Sequence, residues 1–200
     1  MASEVSIRPC ASGDESALAL IGQATFLETF AGILDGQGIL AHCAKAHAIA
    51  LYRAWSSDPD YSLWLAETQP GGAPVGYMVI APPQLPLADT AGDLELKRIY
   101  LLSKFQGGGL GKRLISTAVT HSSDAGAKRL LLGVYAQNES AIGFYERLGF
   151  NKLGTRKFNV GGQEYDDYIM GLSLNTYQFI QAEPVSRVGC VRRQASCLGH

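Results

Sequence analysis

The feature that most constrains this chain is the run Gln106-Gly107-Gly108-Gly109-Leu110-Gly111-Lys112-Arg113. It follows a predicted strand, Asp93–Leu102. It opens a predicted helix, Leu110–Ala125, whose apolar residues Leu110, Leu114, Ile115 and Ala118 step at helical spacing. Such a loop leaves backbone N–H groups without partners, and the helix dipole favours an anion at that end. Glycine lets the backbone approach a phosphate with no Cβ in the way. The run reads as a phosphate cradle or as a glycine-rich turn without a ligand. Two familiar phosphate loops do not fit it. In the triphosphate loop, Gln106 would stand where the first Gly belongs and Arg113 where Ser or Thr belongs. The dinucleotide fingerprint would require glycine at Lys112 or at Leu114.

The rest of the chain surrounds that loop with alternating elements. Val5–Pro9 reads as a strand and Glu15–Phe30 as a helix, capped by Ser12 or Asp14. A second helix is predicted over Ile39–Ser56. Tyr61–Thr68 and Val75–Ala81 flank a Gly/Pro cluster and predict an antiparallel hairpin. Lys128–Tyr135 has a continuous apolar centre, the mark of a strand buried on both faces. Ser140–Leu148 predicts a short helix, and Phe150–Val160 with Tyr165–Leu174 a last hairpin. The order predicts an α/β (α+β) mixed sheet in one domain, residues 3–174. Residues 175–200 lack periodicity and read as a C-terminal extension or tail.

Composition narrows the function. Of 200 residues, 46% are hydrophobic, enough for a core. Lys and Arg number 17 against 18 Asp and Glu, so the chain lacks the basic footprint of a nucleic-acid binder. No apolar run reaches the roughly 18–20 residues of a membrane span, and Met1–Cys10 lacks the pattern of a secretory signal. Cys10, Cys43, Cys190 and Cys197 are far apart and read as reduced thiols of a cytoplasmic protein. No metal is expected. His42 and His47 are five apart, on different helix faces, and the pair Cys43 and His47 supplies too few ligands for a closed zinc site.

The pattern Gln106-x-x-Gly109-x-Gly111 is similar to the pyrophosphate loop of the GNAT superfamily of acyl-CoA-dependent N-acetyltransferases. Leu96–Leu101 resembles the central strand before that loop. Val134–Phe150, with Asn138, Phe144-Tyr145 and Gly149-Phe150, resembles the second cofactor motif. The resemblance spans about residues 3–174. It implies a mostly antiparallel sheet with one splayed strand pair and flanking helices, and acetyl-CoA as the cofactor. Backbone groups of Ile99, Tyr100 and Leu101 would pair with pantetheine, and those near Leu101 would polarise the thioester carbonyl. N–H groups of Gly107, Gly108, Gly109, Leu110 and Gly111 would hold the pyrophosphate, in the loop that Gln106 begins. Lys112 and Arg113 would touch phosphate or stand as solvated charges. Phe144 belongs to the same cofactor motif. Asn138 would bond the pantetheine arm or serve as a helix N-cap.

The resemblance also implies catalytic roles. Tyr145 would protonate the leaving thiolate, or would be a core aromatic. Glu95, eleven residues before Gln106, matches the offset of a general base in histone-type relatives; otherwise it would pair with Lys97 or Arg98. The acceptor is expected to be a small-molecule amine. Thr25–Phe30 is similar to a segment of bacterial polyamine acetyltransferases. There Glu28, with Asp35, Asp166 and Asp167, could attract a cation, and Phe26, Phe30, Trp64 and Tyr165 could line its methylenes. A protein or peptide amine is an alternative acceptor. A CoA-binding sensor without efficient catalysis, and an assembly protein that docks through its tail, are the alternatives to an enzyme. GNAT domains often dimerise, so a homodimer is a partner expectation that no residue here specifies.

Overall fold

Strands and helices alternate along the chain as the periodicity predicts, with one helix more. The computed structural model describes residues 4–160 and 163–175. The elements are β1 (Glu4–Pro9), α1 (Glu15–Phe30), α2 (Gly36–Ala46), α3 (Ile49–Ser57), β2 (Ser62–Gln69), β3 (Pro74–Ala81), β4 (Leu94–Leu101), α4 (Leu110–Asp124), β5 (Arg129–Tyr135), α5 (Glu139–Arg147), β6 (Asn151–Val160) and β7 (Gln163–Ser173). The strands form one sheet in the order β1-β2-β3-β4-β5-β7-β6. Its pairs are antiparallel except β4 with β5. The tail over 176–200 lies outside the described residues.

Alternation along each strand divides the core between two sheet faces. Leu96, Leu130 and Leu132 point to one face and pack with Leu114 and Ile115 of α4 and with Tyr145 and Phe150. Leu63, Leu65, Tyr77 and Val79 point to the other and pack with Leu18 and Ile21 of α1 and Tyr52 of α3. Leu131 lies with Leu85 and Ile169, so β5 is buried on both faces as its composition predicts. Each such buried Leu or Ile side chain contributes roughly 1.5–3 kcal/mol.

The helix predicted over Ile39–Ser56 is two helices. His47 closes α2 with φ −121°, and Ala48 is extended before α3. The break lets the His47 ring turn inward, where Nδ1 lies 2.9 Å from the Tyr52 hydroxyl. Asp14 precedes α1 but makes no side-chain cap. Its carboxylate accepts from Arg8 and from the Ala11 N–H instead. Trp64 belongs to the α4 face, where its ring meets His121 edge-on at 4.8 Å. It therefore does not line the α1–α2 side. Among the described residues, no helix is long and apolar enough to cross a membrane.

Candidate active site

The parallel pair β4–β5 holds together only at its start. Leu94 pairs with Leu130 and Glu95 with Leu131; beyond them the strands part. Lys97 marks the departure. Arg98 faces Val79 and Leu96 faces Ile80, which leaves Lys97 as a bulged extra residue. A bulge bends its strand and increases the local twist. The β5-facing edge of β4 is left open while β3 pairs with the other edge up to Leu101.

The glycine loop stands at the end of that open strand. Gly107 and Gly109 have φ +77° and +81°, a left-handed conformation that glycine adopts without strain. An added Cβ at Gly107, Gly108 or Gly109 would meet nothing within 4 Å, so the space over the loop is clear. Among the described residues, the N–H groups from Gly107 through Lys112 donate to no acceptor outside the helix, and the first helical bond runs from the Arg113 N–H to the Gly109 carbonyl. These are the free donors that an anion needs. Gln106 turns back to its own strand, donating from Nε2 to the Leu101 carbonyl at 3.1 Å. Arg113 donates to the Val5 carbonyl and so ties α4 to β1. Lys112 is exposed. Gly111 lies where a Cβ would touch Phe144 at 3.4 Å, so the loop and α5 meet.

Helix α5 starts at Asn138, whose Oδ1 accepts from the Ala141 N–H at 3.1 Å; the side chain is an N-cap. Tyr145 is 9% exposed and packs between Phe144 and Phe150, with centroids at 5.3 and 5.6 Å. Burial, with a smaller contribution from Tyr100, raises its phenol well above the usual range, so the hydroxyl keeps its proton. Glu95 is 3% exposed, and its Oε2 accepts from the Gln84 N–H at 2.7 Å. It has no ion pair with Lys97 or Arg98: Lys97 donates to the Gln84 side chain, and Arg98 to Tyr52. No hydrogen bond joins Glu95 to Tyr145.

The α1–α2 side faces the β6–β7 hairpin. Phe26 and Phe30 pack with Cys43, Phe158 and Tyr165. His42 stacks on Phe26 at 4.1 Å, and burial lowers its pKa. This aromatic wall was legible only in part, because Phe158 and His42 carry no motif. The acids expected to attract a cation are engaged elsewhere. Glu28 accepts from the Ser103 N–H at 2.8 Å and from its hydroxyl at 2.6 Å, and these bonds hold its pKa below the usual value. Asp35 caps α2 through the Gly38 N–H. Asp166 pairs with Lys157, and Asp167 with Arg156. Among the described residues, no group of three or more His, Cys, Asp or Glu is arranged to hold a metal ion.

The sequence model of the acetyltransferase (GNAT) family matches residues 35–150, from α2 to the end of the second motif. An uncharacterised N-acetyltransferase of Mycobacterium tuberculosis (strain H37Rv) is 31% identical over 121 residues, 60% of this chain and 72% of the relative. The spermine/spermidine N(1)-acetyltransferase of Bacillus subtilis is 33% identical over 69 residues, 34% of this chain and 45% of that protein. Among solved structures, the PaiA N-acetyltransferase of Thermoplasma acidophilum in complex with coenzyme A superposes with a TM-score of 0.69. It is 21% identical and covers 85% of this chain and 99% of its own. YncA of Salmonella typhimurium, a putative acetyltransferase solved with acetyl-CoA, gives a TM-score of 0.63 at 22% identity, covering 86% and 95%.

Proposed function

The chain belongs to the GNAT acetyltransferase family, and from that premise we propose that it moves an acetyl group from acetyl-CoA to a primary amine of a small molecule, by direct attack on the thioester. The observation that carries this reading is one conjunction. A strand edge left open by the parting of β4 and β5 leads into a loop of free N–H groups with no Cβ over it. Acetyl-CoA supplies the activated acetyl thioester. The chain supplies the rest. N–H groups from Gly107 through Lys112 hold the pyrophosphate, and the backbone of Ile99, Tyr100 and Leu101 takes the pantetheine amides as a strand would. An N–H near Leu101 stabilises the negative charge that develops on the carbonyl oxygen.

An alkylamine is mostly protonated at neutral pH, and freeing its lone pair costs roughly 4–5 kcal/mol. Glu95 takes that proton through water, because its carboxylate is buried and already accepts from the Gln84 N–H. Tyr145 gives its hydroxyl proton to the departing thiolate, as a phenol that is protonated at neutral pH. Asn138 serves first as the cap that starts α5 and so sets the position of Tyr145. The acting unit is residues 3–174. Free thiols at Cys10 and Cys43 suit a reducing cytoplasm.

The test is thermal unfolding with and without CoA, followed by thiol release from acetyl-CoA over a panel of amines. Stabilisation by CoA and acceptor-dependent thiol release are expected. Stabilisation without release for any amine would leave a CoA sensor. Absence of both would overturn the reading.

A further inference from the structure

The acceptor side of the parted strands carries two cations, Lys97 and Arg98, that form no ion pair among the described residues, beside one buried acid, Glu95, that also forms none. Glu28, Asp35, Asp166 and Asp167 each have the partner described above. Among the described residues, neither Lys97 nor Arg98 pairs with a carboxylate. Lys97 sits on the bulge where β4 leaves β5, and its Nζ donates to a neutral acceptor, Gln84 Oε1, at 2.6 Å. Arg98 donates from Nη1 to the Tyr52 hydroxyl at 2.8 Å, and its guanidinium lies over the Trp55 ring at 4.7 Å. No described acceptor takes its Nε or Nη2.

A third cation closes the opposite wall. Arg156 of β6 lies over Gly133 of β5, where an added Cβ would come 2.6 Å from Nη2, so the missing side chain is what makes room for the guanidinium. Asp167 neutralises Arg156. Burial lowers the Lys97 pKa; Glu95 opposes that effect, and the fields of Arg98 and Arg156 add to it. Lys97 therefore feels Arg98 beside it on β4 and Arg156 from the β6 side.

Taking a cation from water without a matching anion is costly. A second ammonium group brought here would add to that cost. A carboxylate would relieve it, because a guanidinium offers a planar pair of donors that fits a carboxylate. We infer that the acceptor amine carries a carboxylate, held by Arg98 and Lys97 on the acceptor face of β4 while the amine reaches the opening between β4 and β5. The acceptor class is then amino acids and their short ω-amino homologues, not polyamines. The inference rests on the acetyl-transfer reading for its reaction, but its binding step stands apart from that reading.

The experiment uses matched acceptors: 4-aminobutyrate against putrescine, and free L-amino acids against their carboxamides. Each is assayed for turnover with acetyl-CoA and, in parallel, for added thermal stabilisation of the CoA-saturated full-length protein. The carboxylated member of a pair should lead by about tenfold or more in kcat/KM, the size of one charge-assisted contact. Lys97→Met and Arg98→Gln should each shrink that ratio and leave stabilisation by CoA alone unchanged. Lys97→Met is informative even if Arg98→Gln, at the buried Tyr52 contact, fails to fold. Preference for putrescine, equal response within pairs, or no response to any carboxylate in either readout would overturn the inference. Loss of stabilisation by CoA itself would instead overturn the acetyl-transfer reading. Carboxylate-selective stabilisation without turnover would support the inference while breaking the catalytic reading.

Discussion

Gly109→Ala perturbs the cradle at one atom. Gly109 is the N-cap residue of α4 with φ +81° and ψ −4°, and an added Cβ there meets nothing within 4 Å. Steric clash is absent, so the whole cost is conformational: about 1–2 kcal/mol for a side chain forced into the left-handed region. For a chain of this size each kcal/mol lowers Tm by roughly 2–4 °C, so the drop should be about 2–8 °C. The alternative is that the loop relaxes to negative φ. The strain then vanishes from Tm, but the N–H groups from Gly107 through Lys112 no longer converge. Losing one charge-assisted hydrogen bond to pyrophosphate should weaken CoA binding about tenfold or more. The two outcomes share one energy, so Tm without ligand and CoA affinity should be read together. Gly108→Ala is the control, because its φ is not positive and its Cβ also has space. Its unliganded Tm should stay within about 2 °C of the parent. A Gly109→Ala protein with parental Tm and parental CoA affinity would refute the reasoning.

Further predictions follow from the same contacts. Tyr145→Phe should lower kcat by about a hundredfold or more while leaving the KM for acetyl-CoA unchanged; equal kcat across pH would remove the acid role. Glu95→Gln should abolish the acidic limb of the pH–rate profile, and an unaltered profile would put the base elsewhere. Glu28→Ala frees Ser103, three residues before Gln106, and should raise the KM for acetyl-CoA more than it lowers kcat; steady-state kinetics would separate the two. His47 is held near a pKa of about 3, first by burial and then by Arg98 and His42. Its folded pKa lies below the unfolded value of about 6.5, so the unfolded chain binds the proton first. Stability is intact above pH ~6.5 and falls by up to about 1.4 kcal/mol per unit below it. His47→Gln should flatten part of that fall in a Tm-against-pH series; His42, displaced in the same direction, accounts for another part.

Local signals in the sequence located most elements and the glycine loop between β4 and α4. The predicted bounds of α1 agree with the observed Glu15–Phe30, and the glycine run needs only its neighbours to make a strand-to-helix turn. What stayed hidden depends on residues distant in the chain. The break at His47 has no Gly or Pro to announce it; it follows from a ring drawn inward to Tyr52 and Arg98. Asp14 looks like a cap until Arg8 is seen between it and Glu67. Nothing in the sequence near Glu28 announces Ser103, 75 residues away, whose N–H it accepts from. Trp64 alternates with Leu63 and Leu65, which shows that it faces the other way, but which helices cover which face is decided by topology. The matched family segment begins at residue 35 and ends at 150, so α1 and the β6–β7 hairpin, which line the proposed acceptor side, lie outside it.

The measurement that bears most directly on the central claim follows the acetyl group itself. Acetyl-CoA labelled in its acetyl carbons is incubated with the protein and the matched amines, and every product is resolved by mass spectrometry. The label should appear on the amine nitrogen in step with free CoA. Label that remains on CoA, or that accumulates on the protein, would contradict direct transfer.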